Sequence, residues 1–333
     1  MNYRESKTIL AEIKKAKRIL LNCHRGPDPD AIGSALALFS VLTKMGKKVD
    51  IVCPNEILYE SLKYLSDYKE IKKGVNFATF DFSKYDLFIT LDSSSWGMVT
   101  GEKEISIPKI PLVVIDHHKT NTRYGNINLV DKKVTSVGEL LFLVFEDWGI
   151  EVNKLTANYL MIAIIGDTGA FRYPGSTERT FKVASKLMQK GADKDEAIFH
   201  IYRSEPFNLM KFYGEVLMRT KLDKKGKFIW AAIPYEVYKK LGKPASAKES
   251  ASSLFTQVVD ETEFGFVAVE TERDKLAVSF RSRTGFDTSK IAMTLGGGGH
   301  VYASACKVEG LAFDKAVKKV LAVARKYAKK SKK

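Results

Sequence analysis

Long apolar runs are missing from this 333-residue chain. No stretch approaches the ~18 consecutive apolar residues that a membrane-crossing helix needs, so no membrane span is expected. The opening stretch, Met1 to Leu21, mixes charged and apolar residues at helical spacing. It lacks the uninterrupted apolar core of a secretion signal, and a cytoplasmic location is the expectation. Cysteine is scarce: Cys23, Cys53 and Cys306 include no Cys-x-x-Cys pair. That argues against a disulfide framework and against a thiolate zinc site. Cys23 itself reads as a small apolar strand residue. Acidic residues are also in deficit, with 39 Asp and Glu against 54 Lys and Arg, a net charge of +15. The surplus suits anionic partners such as nucleotides or nucleic acid; the competing reading is a generally Lys-rich surface. The basic tail from Arg325 to Lys333 reads as a solvated terminus.

What is present is an alternation of strand-like and helix-like segments. Arg18–His24, Lys48–Cys53, Tyr85–Asp92 and Pro111–His117 read as strands. Ala31–Met45, Ser136–Trp148, Lys154–Ile165 and Glu178–Lys190 read as helices. Continuous apolar strands alternating with helices imply an α/β fold, with a parallel sheet covered by helices on both faces. A catalytic domain over residues 1–194 is expected, then a helical connector over 195–225 interrupted by Pro206. Residues 226–333 then form a smaller α+β domain. Its strands are expected at Lys227–Tyr235, Phe264–Glu270, Lys275–Arg281 and Ala303–Val308, its helices at Thr288–Thr294 and from Asp314 onward.

Polar residues follow three of the apolar strands. His24, Asp92 and the run Asp116-His117-His118 each stand just after such a strand, hence on one edge of the sheet, where α/β proteins bind ligands. Between His24 and the next helix lie Asp28 and Asp30, with prolines fixing the backbone around them. Asp30 has a competing role as cap of the helix that begins at Ala31, but capping explains neither His24 nor Asp28. Asp92 alone reads equally as a turn former. Asp167 follows a very apolar helix, where an unpaired carboxylate is costly and a metal would supply its partner. Late in the chain, Gly296 to Gly299 precede His300. Glycines let backbone N–H groups approach an anion closely, and Arg281 and Arg283 add cations on the strand before. Imidazole and carboxylate without thiolate favour a pair of divalent ions, manganese, magnesium or iron ahead of structural zinc. Two ions ~3.5–4 Å apart are typical of phosphoryl hydrolysis.

The ordered set HRGPDPD, LDSS, DHH, GDTGAF and GGGGH resembles the DHH phosphoesterase superfamily, over nearly the whole chain. More narrowly it is similar to the branch of nanoRNases and 3′-phosphoadenosine-5′-phosphate (pAp) phosphatases with a DHH-associated C-terminal domain. Carried over residue by residue, the resemblance implies that His24 and Asp28 hold one metal and that Asp30, His117 and Asp167 hold the other. Asp92 bridges both. His118 faces the scissile phosphate, Asp116 orients the loop or His117, and Arg281, Gly298, Gly299 and His300 bind substrate. Two segments depart from the family pattern: Trp96-Gly97-Met98, where a basic residue is frequent, and Ala303-Ser304-Ala305, where Ala-Ala-Gly is usual. These touch substrate preference and leave the reaction type intact.

The expected activity is hydrolysis of short RNA or DNA oligonucleotides or pAp, in a bounded cleft between the two domains. Water, made more acidic by the ions, attacks phosphorus in line while His118, Arg281 and His300 neutralise charge building on the phosphoryl oxygens. A linear or cyclic dinucleotide phosphodiesterase is the alternative, with a single-strand exonuclease behind it. An inorganic pyrophosphatase fits poorly with the glycine-histidine ending. A nucleotide-binding regulator with a dead site would need a missing ligand, and none is missing. A homodimer stays open.

Overall fold

The computed structural model describes residues 2–55, 60–102, 104–173, 175–244, 247–299 and 301–330. His300 and the last three residues of the basic tail lie outside them. The chain divides into two compact units, Met1–Ser204 and Glu205–Lys333.

The first unit begins with helix α1 (Arg4–Lys15) and strand β1 (Arg18–Asn22), followed by α2 (Pro29–Lys44), β2 (Lys48–Val52) and the short β3 (Ile71–Lys72). β4 (Leu87–Leu91), α3 (Trp96–Thr100), β5 (Leu112–Asp116) and β6 (Ile127–Val130) come next. Helices α4 (Val137–Asp147), α5 (Lys154–Thr168), α6 (Glu178–Gln189) and α7 (Lys194–Tyr202) complete the unit. The sheet is wholly parallel, in the order β3-β2-β1-β4-β5-β6. The chain therefore builds outward from β1 to β3, then returns to β1's other side as β4. The strand order reverses between β1 and β4, where ligands of open α/β sheets bind.

Side chains alternate across the strands. Ile19, Leu21, Ile89, Val113 and Ile115 enter the larger core, with residues of α1, α2, α4 and α5. Leu20, Val52, Phe88 and Leu112 face the other way, under Phe77, Trp96 and Val99. Trp96 is therefore a core residue of the second face, its indole N–H donating to the Ile105 carbonyl. The helices start at capping residues: the side chains of Asp28, Ser136 and Asn153 accept from backbone N–H groups of the first turns of α2, α4 and α5. Gly169, in a left-handed conformation, ends α5.

In the second unit, α8 (Phe207–Arg219), β7 (Lys221–Asp223), β8 (Phe228–Ile233), α9 (Tyr235–Lys240) and α10 (Ala247–Phe255) precede β9 (Phe264–Glu272) and β10 (Lys275–Ser282). Then come α11 (Ser289–Thr294), β11 (Gly298–Gly299), β12 (Ala303–Glu309) and α12 (Phe313–Lys330). The sheet runs β11-β12-β10-β9-β8-β7 and is antiparallel except for the parallel pair β8–β9. Residues of α11 and α12 join the core with Phe266 and Phe280. Leu209, Phe212 and Val216 of α8 pack with Val267 and Val269 in another. The stretch expected as a connector is thus shared out: α7 belongs to the first unit and α8 is built into a core of the second.

Candidate metal-dependent active site

The ends of β1, β4 and β5 bring His24, Asp92 and His117 together, and the flanking segments add Asp28, Asp30 and Asp167. Around His24, the Nε2 atom lies 3.4 Å from Asp92 Oδ2 and 3.9 Å from Asp28 Oδ2. Around His117, Nε2 lies 3.4 Å from Asp92 Oδ1, 3.2 Å from Asp167 Oδ2 and 3.9 Å from Asp30 Oδ2. Asp92 is thus common to both clusters, with one carboxylate oxygen directed at each. It is 2 % exposed, and its backbone takes the left-handed conformation at φ 50°, sparsely populated for a residue other than glycine. Its N–H donates to the Ile115 carbonyl, which ties β4's end to β5.

The hydrogen bonds state which way the imidazoles are turned. His24 Nδ1 is 2.9 Å from the Arg25 carbonyl, which only accepts. Nδ1 therefore carries a proton, and in the neutral ring Nε2 is a lone pair facing two carboxylates. Lone pair against carboxylate is repulsive unless a cation stands between them. Asp92 Oδ1 makes the same demand. It is buried without a hydrogen-bond partner of normal geometry among the described residues. Such an orphaned acceptor is costly unless an ion meets it. Without an ion, protons take the cation's place. Burial opposes the charged imidazole of His24, but Asp92 and Asp28 outweigh it and push its pKa up to about 10. Burial also raises the carboxyls of Asp30 and Asp167 well above their usual range. Asp92, despite burial, is held well below that range by His117 and His24. The donors are hard, and burial keeps the nearby thiols protonated, Cys53 at about 11 and Cys23 well above its usual value. The set fits divalent ions held by oxygen and imidazole.

Three site residues have partners that sequence reasoning did not supply. Asp28, not Asp30, caps α2, its Oδ1 accepting from the Ala31 N–H at 3.0 Å. Asp30 caps a different helix. Its oxygens accept from the N–H groups of Val137 and Gly138 at 2.7 and 3.0 Å, and from Ser34 Oγ at 2.9 Å. Asp116 is tied to His118 through Nδ1 at 2.7 Å and to Asn121 Nδ2 at 2.6 Å. Of the two adjacent histidines, it is the second that its carboxylate holds. Asn22, buried at the end of β1, accepts from the Leu91 N–H and donates to Ser93 Oγ, bracing the strand end that carries Asp92. A polar residue inside an otherwise apolar strand was the available sign of Asn22. Nothing local marked Ser34 or Asn121.

Glycine sets how closely the ligand-bearing helices approach. A Cβ on Gly33 would lie 2.5 Å from the Tyr159 carbonyl, and one on Gly166 would lie 2.6 Å from Pro29 Cβ. These contacts lock α2, which carries Asp30, against α5, which carries Asp167. In the second unit, Arg281 hydrogen-bonds Ser253 Oγ, Ser279 Oγ and the Phe280 carbonyl. Gly298 and Gly299 form β11, paired with Ala305 and Ser304 of β12.

The switch point of the parallel sheet gathers carboxylates and imidazoles around one shared aspartate, a donor set that could hold divalent ions. Residues 18–166 match the DHH family, N-terminal domain, and residues 237–330 match the DHHA1 domain. The chain thus carries a DHH-family domain followed by a DHHA1 domain. It is 29 % identical over 329 residues to the bifunctional oligoribonuclease and PAP phosphatase NrnA of Thermus thermophilus, covering 97 % of this chain and 94 % of that protein. It is 28 % identical over 297 residues to the protein of the same name from Bacillus subtilis, covering 87 % and 89 %. An exopolyphosphatase-related protein from Bacteroides fragilis shares the fold, with a TM-score of 0.90 at 24 % identity over 99 % of this chain and 98 % of that one. No helix among the described residues is long and apolar enough to cross a membrane.

Proposed function

We propose that this protein is a two-metal phosphoesterase of the cytoplasm that hydrolyses short oligoribonucleotides, and pAp, to mononucleotides. The observation that carries the reading is the orphaned, buried Oδ1 of Asp92 at the junction of two ligand clusters. His24, Asp28 and Asp92 would hold one ion, and Asp30, His117, Asp167 and Asp92 the other, with manganese as the ion used. When bound, the ions make water more acidic and offset charge on the phosphoryl group.

The chain's own residues do the rest. Asp116 holds the His118 ring by Nδ1; burial opposes a charged ring, but Asp116 and Asp92 raise its pKa, and the doubly protonated imidazolium can present its Nε2 proton to a phosphoryl oxygen. The α4 N-terminus, through Val137 and Gly138, fixes both oxygens of Asp30 and keeps that carboxylate in place. Arg281 and the Gly298-Gly299 backbone are assigned to the substrate's phosphates, with His300. The relatives named for oligoribonuclease and PAP phosphatase activity support the choice of substrate.

The test is turnover with manganese of 5′-labelled RNAs from a dinucleotide upward, beside pAp and cyclic dinucleotides. Mononucleotides released from the shortest RNAs and from pAp are the expected products. Turnover of cyclic dinucleotides alone would make the protein a different phosphodiesterase.

A further inference from the structure

A cavity of about 420 Å³ opens in the first unit, lined by Arg25, Asn55, Asn76, Phe77, Gly101 and Glu102 among others. That volume falls in the ~300–1,000 Å³ range of small-molecule sites. The cavity starts one residue from the metal cluster, because Arg25 directly follows His24. The backbone there is clamped. The Arg25 N–H donates to the Met98 carbonyl at 2.8 Å, and the Gly26 N–H donates to Asn55 Oδ1 at 2.7 Å. The Arg25 guanidinium is exposed, and no described residue pairs with it.

The two amides lining the cavity are oriented by the same logic. Asn55 Oδ1 is taken by the Gly26 N–H and Asn76 Oδ1 by the Ala78 N–H, at 2.9 Å. Each amide then has its NH₂ left to donate. One guanidinium and two amide NH₂ groups make a donor set suited to phosphate oxygens. Phe77 is buried and gives an apolar wall, and among the described residues Glu102 is the one acidic side chain of the lining. An apolar wall and an acceptor are out of place for a bare anion. They suit a nucleoside, whose hydroxyls can donate to Glu102.

We propose that this cavity is a nucleotide subsite in which Arg25, Asn55 and Asn76 hold the non-scissile phosphate of the substrate. The proposal rests on the phosphoesterase reading. A second phosphate gripped there would add to the binding of substrate and product alike.

The test compares Arg25→Ala and Arg25→Lys with the natural protein in manganese. For pAp, Arg25→Ala raises KM ~10-fold or more, the loss expected for one charged hydrogen bond, with kcat nearly unchanged. For adenosine 3′-monophosphate, which lacks the second phosphate, both constants stay put. Arg25→Lys recovers much of the KM. Binding of the product adenosine 5′-monophosphate, followed by calorimetry without turnover, weakens by a similar factor in Arg25→Ala. An unchanged KM and unchanged product binding overturn the subsite. So does an equal loss on both substrates together with weaker manganese binding, which would mean that Arg25 merely supports His24. If the natural protein turns over neither pAp nor short RNA, the phosphoesterase reading falls, while product binding still decides Arg25.

Discussion

At the scale of single residues, the site depends on one carboxylate serving two clusters. Asp92 is buried, conformationally strained and shared by His24 and His117. Removing it leaves each cluster short of a ligand and weakens the hold on a divalent ion in either. Asp92→Ala should lower kcat by more than ~100-fold, since loss of even an outer partner of a metal ligand costs 10–100-fold. Manganese titration should show weakened binding at the same time; near-normal turnover at saturating manganese would remove Asp92 from the bridging role. Asp116 tests a different link. It touches His118 and Asn121 rather than the Asp92 clusters' Nε2 atoms. Asp116→Asn keeps the shape but weakens the hold on the imidazole N–H. Turnover should fall ~10–100-fold with manganese affinity unaltered. A parallel loss of metal would instead make Asp116 part of the cation site.

At the scale of elements, the ligand helices are spaced by glycine. α2 and α5 approach until Gly33 meets the backbone of Tyr159 and Ala163. Those neighbours are main-chain atoms and cannot swing aside, so Gly33→Ala must push the helices apart. We expect a stability loss of ~1–3 kcal/mol, the usual cost of overpacking, read as a lower urea midpoint. Manganese held by Asp30 and Asp167 should weaken too, because these residues ride on the separated helices. An unchanged midpoint would show that the packing there is slack. The same elements show what the sequence made legible. β1, β4 and β5 stand out as apolar runs ending in metal-ligand side chains, so their convergence followed from sheet geometry alone. β6 did not, since Ile127–Val130 is four residues long with one buried position. Asp30's partner was also hidden: it caps α4 across 107 residues of sequence, whereas capping signals are read between near neighbours.

At the scale of the whole molecule, the question is how much of a nucleic-acid strand the protein can use. The specific grips proposed for the first unit are few: the metal cluster and the Arg25 cavity, which suit a terminal phosphate and one or two nucleotides. Everything beyond meets only the field of a chain carrying a net charge of +15. That attraction is sequence-independent, and for single strands its logarithm falls with the logarithm of salt at ~0.7 per neutralised phosphate. A 20-mer offers many phosphates to this field, and it also binds unproductively, with its end away from the metal cluster. A dinucleotide has almost no such alternative. RNAs of two to four nucleotides should therefore be hydrolysed faster than 20-mers at physiological ionic strength. Raising salt from roughly 50 to 200 mM should widen the gap, because the long substrate loses more of its affinity. The competing outcome has a physical basis as well, since the same basic surface can guide long strands to the site. Kinetics of a 2-mer and a 20-mer at both salt concentrations separate the two. Equal or faster turnover of the 20-mer at both would make the protein a general single-strand exonuclease.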